Sequence, residues 1–522
     1  MTKYLAPTTS TFRKIVKKKA LYIDKTEYIY KLVNQGTDAY FLSRPRRFGK
    51  SLFVSTLEEL FLGNRELFSG LWIDQSDYEW ESYPVIRLDF SLLTSNTAAE
   101  LRDNIKLYLE HIAQKYNISL RDGTHYAQFM DLILKLSLQH EDEQVIILID
   151  EYDKPIIDNL TDIVEADKIR SVLKEFYAVV KAMDSYIQMV FITGISKFSK
   201  VSIFSELNNL IDLTMNSAFA TAFGLTETEI RENMGEYITE FAAQEKLSEE
   251  ALLDRIRHWY DGFRFAADSE NVYNPFSTLL LFYHKIFSNY WFESGTPTFL
   301  TKLIRERNYD VVKLEGIQMT GVEFGTYEID TLEIVPVLYQ TGYLTIKDSV
   351  QSPGEEPMYT LAYPNWEVQN AFTIYLLKEF STIERSISRG HLRAIVKALH
   401  NKDIDKVFDI LAVFFANVPY NLQLKREQYY QTIFYVIFKM LGTEIDVEVL
   451  TNDGRIDAVA EISDHIFLFE FKLDKDADLA LKQIKDHEYY RKYKNHGKPI
   501  ICIGANFSME TRTVDDWKIL EK

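Results

Sequence analysis

The sequence predicts a multidomain α/β protein, and three observations predict it. The chain has 522 residues, enough for three or four domains at about 150 residues each. From about residue 20 to 225, short apolar runs alternate with longer helical patterns. A second, smaller α/β pattern fills the last hundred residues. Apolar residues make up 46% and charged residues 26%, proportions of a globular chain that exclude a mainly disordered one. With 34 Phe and 32 Tyr, aromatics reach 14%, ample material for large cores.

In chain order, ALYID (20–24), AYFLS (39–43), YPVIRLDF (83–90), QVIILID (144–150) and QMVFITG (188–194) read as buried strands. Helix-period stretches such as LFVSTLEELFL (52–62) lie between them. Strand, helix, strand in this rhythm argues for a parallel sheet covered on both faces. Residues 226–315 read as mostly helical and open with the capping-like Thr226-Glu-Thr-Glu229. Residues 331–366 run helix, strand, the acidic turn SPGEEP (352–357), strand. That order fits a winged helix and fits equally a helix followed by an ordinary hairpin. Residues 367–417 are helical again. The last hundred then predict a helix (427–441), a strand, a DGR turn, strands at 456–462 and 465–473, a helix (477–494) and a strand (499–504). No internal repeat or low-complexity segment interrupts this.

The formal net charge is −18, unevenly spread. Residues 1–52 carry 12 Lys or Arg against Asp24, Glu27 and Asp38, which suggests an anion site or a Lys-rich arm at Lys17, Lys18 and Lys19. A chain that held nucleic acid by bulk electrostatics would be basic overall, so any such contact is local or awaits a partner. The single cysteine, Cys502, excludes an intramolecular disulfide framework and a cysteine-built zinc site. It lies in the apolar PIICIGANF and reads as a buried small hydrophobe. No run approaches the ~20 apolar residues of a membrane span, and MTKYLAPTTS has no signal-peptide core. The expected compartment is the cytoplasm, with no membrane partner.

AYFLS leads into Arg44-Pro45-Arg46-Arg47-Phe48-Gly49-Lys50-Ser51 and then a helix. A strand, a tight loop and a helix N-terminus are what a P-loop needs, because free backbone N–H groups and the positive dipole end hold a phosphate there. Gly49 lets the backbone approach, Lys50 reaches the β- and γ-phosphates, and Ser51 places its hydroxyl on Mg²⁺. The pattern's first Gly falls at Arg44, and Pro45 lacks an N–H. Arg46 and Arg47 supply charge in compensation or face a neighbouring subunit or DNA, and Phe48 completes the loop. About a hundred residues on, QVIILID delivers Asp150 and Glu151 at a strand's C-terminal end, where α/β sheets bind ligands. Asp150 is expected to hold the Mg²⁺ water shell, and Glu151 to orient or deprotonate the attacking water. The plain alternative for that pair is a strand ending at an acidic, solvated turn. Thr193 ends a third strand, with Ser196 and Lys197 just beyond, as a γ-phosphate contact or a plain strand-end turn.

A second constellation lies in Gly454-Arg455-Ile456-Asp457 and Glu470-Phe471-Lys472. Side chains alternate along a strand, so Glu470 and Lys472 point one way and Phe471 packs on the other side. The DGR turn makes Asp457 and Glu470 neighbours on adjacent strands, and paired carboxylates repel unless a divalent cation sits between them. Lys472 is placed to activate a water and to steady a pentavalent phosphate. Gln483 on the next helix and Glu427 on the preceding one are candidates for the same site. The alternative is a hairpin with a surface salt bridge; the order helix with Glu, strand, Asp, strand with ExK, helix with Gln favours the metal site. His465 and His487 read as turn or helix-surface histidines, without zinc spacing.

These motifs resemble a known family. ALYIDKT, SRPRRFGKSLF, VIILIDEYD, and FSELNNLIDLT followed by FGLTETEI are similar to bacterial AAA-ATPase-like proteins. GRIDAVAEI…IFLFEFKL…ALKQI resembles the PD-(D/E)XK nuclease domain that ends such proteins, and HWYDGFRF with VYNPFS (258–276) fits their helical lid. The resemblance implies a P-loop NTPase parallel sheet, a helical lid, a winged helix or plain hairpin, and a C-terminal restriction-endonuclease-like α/β domain. The expected boundaries are 1–225 for the ATPase, 226–315 for the lid, 316–417 for the winged-helix-like and helical connector, and 418–522 for the nuclease. It implies ATP at Gly49, Lys50 and Ser51 with the Walker B-like pair Asp150 and Glu151. It also implies a Mg²⁺-dependent phosphodiesterase at Asp457, Glu470 and Lys472, supported by Gln483. The expected function is an ATPase that gates cleavage of DNA, with defence against foreign DNA as a setting and homo-oligomers through the ATPase domain as partners. The rival is a nucleotide-controlled signalling or scaffold protein whose nuclease-like domain only recognises nucleic acid or a partner.

Overall fold

Four largely apolar segments build the central sheet of the computed structural model. They are β1 (Ala39–Ser43), β2 (Val85–Asp89), β3 (Val145–Asp150) and β4 (Ile187–Gly194), joined by the short β5 (Ile211–Asp212). All pair in parallel in the order β2-β3-β4-β1-β5. β1 and β3 are buried at every position, as strands covered on both faces must be. β4 therefore lies between the strand that feeds the P-loop-like turn and the strand that ends in Asp150. The structure describes residues 3–36, 39–140, 144–197, 210–293, 300, 304, 309, 311–324, 333–380, 385–416, 427–442, 446–452, 455–508, 510, 511 and 513–521. Residues 204–209 of FSELNNL and Gly454 lie outside the described residues, as do the side chains of Glu427 and Asp457.

The chain divides into two compact units, Met1–Thr296 with Gln318–Glu367, and Pro297–Ile317 with Val368–Lys522. In the first unit the helix Glu227–Glu245 starts at a full capping box. Thr226 Oγ1 accepts the Glu229 N–H at 3.2 Å and Glu229 Oε2 accepts the Thr226 N–H at 2.8 Å. This helix packs with helices Glu249–Tyr260 and Pro275–His284 around Ile230, Phe241, Leu252, Ile256 and Leu281. Leu21 and Ile23 join that core, which explains why ALYID is not a strand: only Ala20 forms a bridge, to Tyr4. The order expected at 331–366 is present as a helix (Ile334–Thr341), β7 (Thr345–Val350) and β8 (Met358–Ala362), an antiparallel pair. The short β6 (Ile317–Thr320) pairs with β8.

The second unit carries helices Arg385–His400, Ile404–Ala416 and Glu427–Leu441 and a mixed sheet. Its strands are β9 (Asp446–Asn452), β10 (Arg455–Glu461), β11 (Ile466–Leu473), β12 (Ile500–Ser508) and β13 (Thr513–Glu521), in the order β13-β12-β11-β10-β9. β11 and β12 are parallel, so a crossover must join them, and the helix Ala477–Asp486 supplies it. Leu481 and Ile484 of that helix pack on Ile466, Leu468 and Cys502. The helix expected over 477–494 stops at Asp486 and passes into a 3₁₀ turn, Tyr489–His496, across Glu488 at φ 49°.

Candidate functional site

The segment between β1 and the helix Lys50–Phe61 turns sharply because two residues adopt left-handed backbone. Arg47 has φ 68° and Gly49 has φ 91°, and Gly49 caps the helix Lys50–Phe61. Glycine reaches that region without a Cβ penalty. Phe48 is buried edge-on against Phe263 and Phe265, with ring centroids 4.8 and 5.2 Å away. Trp291 Nε1 donates to the Arg46 carbonyl at 3.0 Å. Lys50 is 3% exposed. Its Nζ donates to the carbonyls of Arg44 at 3.0 Å and Pro45 at 3.2 Å and lies 3.6 Å from Glu151 Oε1.

Arg44 occupies the position of the motif's missing glycine and is itself buried. Its guanidinium donates to the carbonyls of Ser43, Thr214 and Phe219 and lies over the Phe265 ring at 4.2 Å. Burial lowers its pKa to about 10. These contacts make it a tie between the end of β1 and the segment after β5. Arg264 is similarly engaged, with the carbonyls of Ser269 and Lys347.

At the end of β3, Asp150 is fully buried. Its Oδ1 accepts the Thr193 hydroxyl at 2.6 Å, and its Oδ2 has no hydrogen-bond partner among the described residues. A buried carboxylate oxygen left in this state is costly unless a cation or water reaches it, which suits a divalent ion. Thr193 is likewise buried, so its hydroxyl acts on Asp150. Ser196 is also sealed, donating to Asp153 at 2.5 Å. Glu151 projects differently. Burial pushes its carboxyl up from the ordinary range and the Lys50 cation opposes that shift.

Arg46, Arg47, Gly49, Lys50, Ser51 and Glu151 line one cavity of about 460 Å³, with Ile23, Leu225, Phe276 and Leu279 as apolar wall. That volume is in the range of small-molecule and cofactor sites. The Arg47 guanidinium stacks over Phe276 at 4.5 Å, on the helix Pro275–His284, so that helix forms one side of the cavity. The segment 6–10 and Lys154 also line it. Nothing in their sequence marks them, because only the folded path brings the N-terminal residues to the loop.

In the second unit, β10 and β11 pair antiparallel with Asp457 directly opposite Glu470. Directly opposed positions share a sheet face, and a one-residue slip would separate them. Glu470 is fully buried, and Lys472 Nζ donates to its Oε1 at 2.7 Å. Phe469 and Phe471 take the other face, against Phe438 and Phe434 at 5.2 and 4.4 Å. Gly504 pairs with Glu470 across β12. A Cβ there would stand 2.6 Å from the Ala477 carbonyl and 2.7 Å from the Leu481 nitrogen, so the glycine lets the crossover helix lie directly on the sheet beside Glu470. Gln483 is half-buried on that helix. His465 is largely buried at a turn, and His487 is exposed, stacked on Tyr489. Among the described residues no group of three His, Cys, Asp or Glu side chains forms a metal cage. No described helix is long and apolar enough to cross a membrane.

Comparison with known proteins agrees with this architecture. The family described as "Predicted AAA-ATPase" matches residues 7–204, and the PD-(D/E)XK nuclease superfamily matches residues 425–517. A protein of Azotobacter chroococcum mcd 1, described as "Uncharacterized protein in vnfD 5'region", is 38% identical over 503 residues, covering 94% of each chain. No solved structure matches. The chain belongs to the AAA-ATPase-like proteins that end in a PD-(D/E)XK nuclease-superfamily domain.

Proposed function

We propose that the cavity over Lys50 and Ser51 binds and hydrolyses ATP, and that this controls a Mg²⁺-dependent cut in nucleic acid, DNA in the first place. The observation that carries the cutting activity is the register of Asp457 against Glu470, with Lys472 held on Glu470.

At the first site, Ser51 and Asp150 offer a hydroxyl and a carboxylate to a divalent cation, which when bound neutralises charge on the β- and γ-phosphates. Lys50 exchanges its carbonyl contacts for phosphate oxygens. Glu151, released from Lys50, accepts a proton from the attacking water. Thr193 contributes by fixing Asp150. Arg46 and Arg47 add positive charge at the cavity wall, and Phe48 anchors the loop.

At the second site Asp457 and Glu470 offer hard oxygen ligands for a cation that polarises the phosphodiester and its attacking water. Lys472 steadies the charge that develops on the phosphate. Glu427 and Gln483 stand on the helices before and after this hairpin as supporting groups. Residues 421–522 hold 15 basic against 18 acidic residues, so this domain binds duplex weakly by itself. Efficient cutting then depends on presentation of the substrate by the ATPase unit or an oligomer. Defence against foreign DNA in the cytoplasm is the setting we favour.

Phosphate release tests the hydrolytic half. Glu151→Gln should lower the rate by about 100-fold while ATP still binds. Equal rates would make the site a binding-only switch.

A further inference from the structure

Glu151 has φ 55°, a left-handed conformation that non-glycine residues adopt rarely and that persists only where the surroundings impose it. On its N-terminal side, Asp150 is pinned to β4 through the Thr193 hydroxyl at 2.6 Å. On its C-terminal side, the Tyr152 N–H donates to the Thr193 carbonyl at 3.0 Å, and the Tyr152 hydroxyl donates to the Ser196 carbonyl at 3.0 Å.

Asp153 makes the largest set of these contacts. Its carboxylate accepts the N–H of Ile195 at 3.2 Å, the N–H of Ser196 at 2.7 Å and the hydroxyl of Ser196 at 2.5 Å. Both Asp153 and Ser196 are fully buried. Burial pushes the Asp153 carboxyl up, and the Ser196 and Ile195 donors oppose that shift. Gly194 keeps the approach open, since a Cβ there would meet the Tyr152 ring at 2.4 Å and Asp153 Oδ1 at 2.8 Å. The residues flanking Glu151 are thus fastened to one segment, 193–196, and Glu151 is the member of the turn that lines the cavity.

We infer that Asp153 and Ser196 are positioning residues for Glu151. By clamping the turn after β3 to the end of β4, they hold the Glu151 backbone left-handed and aim its carboxylate at the water that attacks the nucleotide. This rests on the reading of Glu151 as the base for ATP hydrolysis. Both residues are sealed beneath the turn and neither lines the cavity, so their effect runs through Glu151.

Steady-state hydrolysis and equilibrium binding of a fluorescent ATP analogue, with the full chain, test this. Ser196→Ala should lower kcat by about 10-fold and Asp153→Asn by about 100-fold, the cost of a small misplacement of a catalytic group, with analogue affinity within about 2-fold of wild type. In a Glu151→Gln background neither substitution should lower the residual rate further. Should Asp153→Asn fail to fold, the milder Ser196→Ala decides alone. A further fall in the Glu151→Gln background, or a loss of affinity in place of kcat, would overturn the positioning role and leave the hydrolytic reading intact. A Glu151→Gln rate equal to wild type would overturn both.

Discussion

Lys50 Nζ stands 3.6 Å from Glu151 Oε1 while donating to the carbonyls of Arg44 and Pro45. The loop lysine is therefore held by its own loop and by the acidic residue across the cavity, so under the proposed function a bound nucleotide must compete for it. ATP with Mg²⁺ at 100 times its Kd should stabilise the protein by about 2.7 kcal/mol, read as a rise in Tm. Lys50→Ala should abolish that rise, and chelation of Mg²⁺ should reduce it. An unchanged rise in Lys50→Ala would place the nucleotide elsewhere.

Arg44 is predicted to matter for stability, because three carbonyls depend on a guanidinium sealed from water. Arg44→Ala leaves those acceptors unsatisfied and opens a cavity, a loss of about 3 kcal/mol. Chemical denaturation should show it as a lower midpoint at unchanged m. A variant of wild-type stability with slowed hydrolysis would instead point to a catalytic arginine.

Gly342 ends the helix Ile334–Thr341 at φ 89°, and a Cβ there would meet Pro45 Cβ at 2.6 Å. Gly342→Ala strains the backbone and pushes on the phosphate loop together. We predict a loss of about 2 kcal/mol and weaker ATP binding, measured by denaturation and titration. Wild-type affinity would show that the loop tolerates the displacement.

Asp261 gives a pH signature. Burial raises its pKa to about 6, with Glu227 adding to the rise and the Gly262 N–H, Lys347 and Arg257 opposing it. The fold favours the protonated acid, so its contribution is present below the unfolded value near 4 and is lost as pH rises through about 6. Asp261→Asn should therefore be more stable than wild type at pH 8 by about 3 kcal/mol, with the gap closing near pH 4. Thermal melts at the two pH values check this, and a gap that widened towards acid would contradict it.

The strands of the first sheet were legible because burial on both faces demands unbroken apolar runs, and β1 and β3 are such runs. ALYID has the same composition, yet its Leu21 and Ile23 join the core of the helices Glu227–Glu245, Glu249–Tyr260 and Pro275–His284, a destination set by tertiary packing. β13 carries no such signal for the opposite reason. TVDDWKILE is an edge strand with exposed and half-buried positions and two aspartates, so it lacks the apolar signal. Asp457 and Glu470 do pair, as the alternating strands predict, but through a different connection from the one expected: DGR falls between β9 and β10, and the short stretch 462–465 joins β10 to β11. That Thr193 spends its hydroxyl on Asp150 follows from β4 lying beside β3, and strand order is not written in the local sequence. Nor is the left-handed backbone of Glu151, or the burial of Arg44, since arginine seldom lies wholly inside a protein.

The most direct test is nicking of a supercoiled plasmid by the full-length protein in Mg²⁺, with and without ATP, for wild type and Lys472→Ala. The wild type should nick, faster with ATP, and Lys472→Ala should lose at least about 100-fold of that rate. Equal nicking by the two proteins would contradict the assignment of Asp457, Glu470 and Lys472 as the cutting site.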